Sequence, residues 1–242
     1  MPATLDWKAL SGSLQAALGT DVPPMAITFH ADAPPAEVAR FDAPIPAPTP
    51  DGRTGRVSAG CVFWMHGTQR TFTTVAEDHG NCSVGLMTHG FATMQEVAGN
   101  ADVAALLECN WVTMDVVPLI PVVTKKPAAV TYGPLADTSF DPDVVFLRIT
   151  GRQLMVMTDA FPSLRVEGKP QCHIVAIAKE QGEMAASTGC QLSRVRTGMS
   201  NAEMTCAIPA AMLPEVVNRL EQTAEADRLV ARYAAEDAKR FA

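Results

Sequence analysis

The sequence predicts an α+β fold, a mixed sheet flanked by helices with a long helical segment at the C-terminal end. Three observations carry that expectation. Short apolar runs of strand length mix with stretches of helical period without strict alternation. Residues 210–241 hold an apolar stripe at helical spacing. The 242 residues, 48% hydrophobic and 19% charged, suffice to bury a sizeable core in one domain spanning 1–242.

Residues 4–18 place Leu5, Leu10, Leu14 and Leu18 at helical spacing, so an amphipathic helix is expected there, stopped by Val22-Pro23-Pro24. Met25 to Phe29 reads as a buried strand. Residues 31–56 form a proline-rich loop, because proline fixes φ and removes backbone donors. A helix is expected over Asn100 to Trp111, strands over 128–133 and 143–149, helices over Gln153 to Phe161 and Gln171 to Glu180, and a strand over Met204 to Ile208, closed by Pro209. Leu213, Val216, Val217, Leu220, Ala224, Val230 and Tyr233 mark the final one or two helices.

Nineteen basic against 26 acidic residues give a net charge of −7, which argues against a nucleic-acid binder needing a basic stripe. The apolar stretch Val116 to Val123 is too short and too proline-broken to span a bilayer. The first residues lack a basic segment followed by an apolar one, so a cytoplasmic location is expected. In that compartment, six cysteines are thiols or metal ligands rather than a disulfide frame.

No C-x-x-C occurs, so a local zinc knuckle or ferredoxin knot is unexpected, although a fold can still assemble ligands from distant segments. Cys109 and Cys206 sit in apolar patterns and are expected to pack as small hydrophobes. Cys82 differs, because Glu77-Asp78-His79-Gly80-Asn81-Cys82 packs acids, an imidazole and a thiol together. If Cys82 opens a helix, the free N–H groups would favour its thiolate. Glu77 could then set the tautomer of His79, leaving His79 as an acid–base group or ligand. The plain alternative is a polar loop with ordinary caps. Around Cys190, Gly189 permits close backbone approach and Arg194 could pair an anionic group; the plain alternative is a turn into an exposed strand. His173 reads as a core histidine, and His30 and His66 as structural.

Gly60-Cys61-x-x-Trp64, the A-E-D-H-x-N-C block at Ala76 to Cys82, Gly85, Thr88-His89-Gly90 and Gly189-Cys190-x-x-x-Arg194 resemble an uncharacterised prokaryotic family, the domain of unknown function one-six-nine, ArCR type. The resemblance covers most of the chain up to Pro209 and implies a cysteine pattern rather than a reaction. By motif, Cys61, Cys82 and Cys190 fall at family cysteine positions, and Cys172 joins them from its place ahead of the Gly-Cys motif.

The leading expectation is a metal–thiolate site, foremost an iron–sulfur cluster, held by Cys61, Cys82, Cys172 and Cys190. Four thiolates suit electron transfer or sensing with a redox partner; three leave a Lewis acid for lyase-type chemistry on a small molecule. His79, Glu77 and Arg194 are the catalytic candidates in that case. Alternatives are zinc, a metal-free cysteine nucleophile, or a haem or small-molecule binding module with Met155 and Met157 as a Met-rich stretch. A homodimer is the default oligomeric expectation.

Overall fold

The computed structural model describes residues 5–43, 47–48, 52 and 55–241. Helix α1 (Trp7–Leu18) begins where Asp6 accepts a hydrogen bond from the Ala9 amide and ends at Gly19. Strand β1 (Met25–His30) follows, so the first helix and strand lie where the apolar spacing puts them. The chain then runs through α2 (Val62–His66), β2 (Phe72–Thr74), α3 (Ser83–Thr88), α4 (Met94–Val97) and α5 (Ala101–Glu108). Next come β3 (Ala129–Pro134), β4 (Val144–Thr150), α6 (Gly151–Ala160), β5 (Arg165–Glu167) and α7 (His173–Ala176), which continues as a π-helical turn. Strand β6 (Ala185–Ser187), α8 (Gln191–Thr197), β7 (Glu203–Pro209) and the long α9 (Leu213–Ala238) complete the order.

The seven strands form one sheet in the order β2-β3-β1-β4-β7-β6-β5. All neighbours are antiparallel except the β5–β6 pair, so the sheet is mixed. Alternation along β4 assigns its faces: Val145, Leu147 and Ile149 meet α1, α6 and α9, whereas Val144 and Phe146 meet α2 and α7. Cys206 and Ile208 of β7 share the first face and Ala207 the second. Both faces are thus covered, which is why these strands read as near-continuous apolar runs rather than alternating ones.

Three expectations need correction. Strands β2, β5 and β6, of three residues each, are too short to carry a period and were not foreseen. Residues 187–196 hold helix α8 rather than an exposed strand. Cys109 does not pack in the core: it ends α5 on its exposed side, while Cys206 is fully buried. In the proline-rich loop, Arg40 bridges to Thr73 and Phe41 is buried at the β2 edge; residues 44–46, 49–51 and 53–54 lie outside the described residues.

Helix α9 buries Leu213, Val216, Val217, Leu220 and Ala224 but leaves Leu229, Val230 and Tyr233 exposed. Leu220→Ala should therefore cost about 2–5 kcal/mol in urea unfolding, through lost burial and a cavity. Tyr233→Ser should stay within about 0.5 kcal/mol of the parent.

Candidate functional site: a four-cysteine cavity

The four cysteines expected to act together stand directly before four short helices. Cys61 precedes α2, Cys82 precedes α3, Cys172 precedes α7 and Cys190 precedes α8. All four line one small, partly enclosed cavity of about 30 Å³. Its remaining walls include His89, Trp111, Gln171, Leu192 and Ser193. Cys82 and Cys190 are buried, and Cys61 and Cys172 partly so. Among the described residues, no three His, Cys, Asp or Glu side chains are placed to hold a single metal ion.

The A-E-D-H-x-N-C block builds much of this wall, each residue in a different way. Asp78, fully buried, accepts hydrogen bonds from Arg40 Nε and Nη2, both at 3.1 Å, and pairs with Arg56 at 3.2 Å. Those two arginines hold the loop ahead of Cys61 to the segment ahead of Cys82. Asn81 completes the tie: its side chain accepts from the Gly55 amide and donates to the Gly55 and Val57 carbonyls at 2.7 and 2.8 Å. Such buried polar groups are stable because each is matched by a partner.

His79 stands behind the cavity wall rather than in it. Thr74 donates its hydroxyl to the Val130 carbonyl, so its oxygen accepts from His79 Nε2 at 3.1 Å and the proton resides on Nε2. Gly60 lies against the other ring nitrogen; a Cβ there would come within 2.9 Å of Nδ1, so only glycine allows the approach. Phe63, Phe91 and His89 enclose the ring at 4.9, 4.8 and 5.4 Å. Glu77 does not set this tautomer: its carboxylate is largely exposed and pairs with Arg40 at 2.7 Å, which lowers its pKa.

Arg194 is equally committed elsewhere. Its guanidinium donates to the carbonyls of Thr188 at 2.9 Å, Glu203 at 3.0 Å and Ser200, bracing the loop that carries Cys190. Gly189, at φ 114°, is forced to be glycine by its backbone and by Arg194 packed over it. These three bonds to backbone oxygens make Arg194 a brace for that loop. The cation that does act on the thiols is Arg196, whose charge favours the Cys82 thiolate. Neither its role nor that of His89, Trp111, Gln171 or Ser193 was read from the sequence; only the Thr88-His89-Gly90 match flagged one of them.

Cys82 does open a helix, but its thiolate is not thereby favoured overall. Burial raises its pKa, and the Gly85 amide and Arg196 offset this only in part. Burial also pushes the Cys61 thiol up to about 12, with Ser193 lowering it and the neighbouring Cys82 and Cys190 raising it further. Cys172 lies well above the usual thiol value for the same reasons, burial foremost. His173 sits beside Cys172 in α7, but the cavity walls do not include it.

Fold and cavity define a class: α+β proteins with a seven-stranded mixed sheet and a four-thiol pocket under short helices. The chain belongs to the uncharacterised ArCR family, domain of unknown function 169, whose model matches residues 13–219 and so includes all four cavity cysteines. No curated protein and no solved structure matches the chain.

Burial lowers the pKa of His79 well below its ordinary 6.5 and that of His89 to about 4. Between the folded and unfolded values the unfolded chain binds more protons, so stability is present above pH 6.5 and is lost as pH falls. Urea unfolding of metal-free protein should show a decline on the order of 3 kcal/mol from His89 alone between pH 7 and pH 4. His89→Gln should flatten that slope.

Proposed function

We propose that this protein carries an iron–sulfur cluster on Cys61, Cys82, Cys172 and Cys190, serving electron transfer or sensing, or lyase-type chemistry on a small molecule. The observation that carries the reading is the meeting of four cysteines from four separate segments at one cavity. Soft anionic sulfur is the donor such metals require. The charge balance also fits: the thiols with raised pKa values stay protonated until a positive guest displaces their protons.

Zinc fits less well than a cluster. A single tetrahedral zinc ion, bonded at about 2.3 Å, would draw its four sulfurs to within about 4 Å of one another. No three side chains among the described residues are placed to hold one ion. A guest with several metal atoms lets each thiolate bind a different one, and so suits donors spread around a cavity. Once bound, a cluster supplies an electron relay, or a Lewis acid where one position is left open. The chain's own contribution is to hold the donors in place, to set Arg196 beside Cys82, and to line the cavity with Trp111 and Leu192. Lys169 rests on the Trp111 ring at 4.9 Å.

The metal-free nucleophile has weaker support, because a nucleophilic cysteine needs a lowered pKa and a base in reach. Of the expected pair, Cys82 is shifted upward by burial and His79 does not line the cavity. The Met-rich stretch lends nothing to a haem site: Met157 is in the core and Met155 is exposed on α6. A reducing cytoplasm is the compartment that suits four persistent thiols.

Anaerobically purified protein should contain iron and acid-labile sulfide in similar amounts. The double variant Cys82→Ser, Cys190→Ser should lose most of both, whereas Cys109→Ser should retain them. A folded, anaerobically prepared protein without iron or sulfide would end the reading.

A further inference from the structure

His89 offers the cavity a nitrogen donor. The residue is 3% exposed, and its ring lines the same cavity as the four cysteines. Its Nδ1 lies 3.0 Å from the Gly85 carbonyl oxygen, which can only accept, so Nδ1 carries the proton. Nε2, on the far side of the ring, is therefore a bare lone pair, and it has no hydrogen-bond partner among the described residues. An acceptor buried in this way is costly unless something satisfies it.

The surroundings fix this arrangement. The ring stacks on Phe29 at 6.2 Å and packs on His79 at 5.4 Å. The carbonyl that orients it belongs to Gly85, in the helix that Cys82 opens, so imidazole and thiol are mounted on one rigid turn. A histidine that ligates a metal characteristically donates its other N–H to a carbonyl or carboxylate, which fixes the tautomer and strengthens the donor nitrogen. His79 and His173 do not line the cavity.

We propose that His89 is a terminal ligand of this cluster, binding through Nε2 in place of one of the four cysteines, so that the donor set is mixed imidazole and thiolate. The inference rests on the iron–sulfur reading and deepens it. It assigns a ligand that cysteine spacing alone would never reveal.

The test is nitrogen hyperfine spectroscopy on the reduced, paramagnetic protein, purified anaerobically from cells fed ¹⁵N-histidine. The expected result is a ¹⁵N coupling of directly bonded strength in the parent, kept in His173→Gln and lost in His89→Gln. Iron-loaded parent protein without such a coupling overturns the assignment of His89 while leaving the cluster reading intact. So does a coupling that persists in His89→Gln. Protein that contains no iron overturns both. Should His89→Gln fail to fold, a parent without the coupling still overturns the assignment, and a coupling lost in His79→Gln or His173→Gln does the same.

Discussion

A thiol buried beside other thiols resists ionisation, because each neighbouring sulfur adds repulsion to the loss of water. In this protein that resistance is concentrated at one cavity, where burial with mutual proximity holds Cys61, Cys82 and Cys172 high. The architecture around it serves to bring four distant cysteines to that point and keep them there.

The sheet supplies the platform and the loops supply the aim. Helices α2 and α7 pack their apolar residues onto one sheet face, Phe63 and Trp64 from the first and Ile174 and Val175 from the second. Each helix therefore starts at a fixed height above the strands, and the cysteine before it is placed by the same packing. Asp78 and Asn81 then lock the Cys61 and Cys82 segments to each other, and Arg194 locks the loop before Cys190 to β7. The polar residues that look catalytic in the sequence are in large part this framework.

How much of this could be read from the sequence depends on length and period. Strands β1, β3, β4 and β7 announce themselves by apolar runs, and α9 by a stripe sustained over several turns. Helices α2 and α8 span five and seven residues, less than the two turns a periodic pattern needs, so their starts were not visible, whereas α7 lies inside the helix expected over Gln171 to Glu180. Cys109 was misread because Leu106-Leu107-Glu108-Cys109 looks apolar while the helix turns that last residue outward. For Glu77 and Arg194 the sequence shows a charge but not the partner beside it: Arg40 for one, three carbonyls for the other. The cysteine set was legible through its polar neighbours and its motif context; the lone pair of His89 was not.

That these sulfurs act as one unit toward a single inorganic guest is open to direct observation by anomalous diffraction at the iron edge, from crystals grown without oxygen. The account predicts an iron peak inside the cavity, within bonding distance of at least three of the sulfurs of residues 61, 82, 172 and 190. Crystals whose cavity shows no iron signal, or whose iron sits elsewhere on the chain, would contradict it.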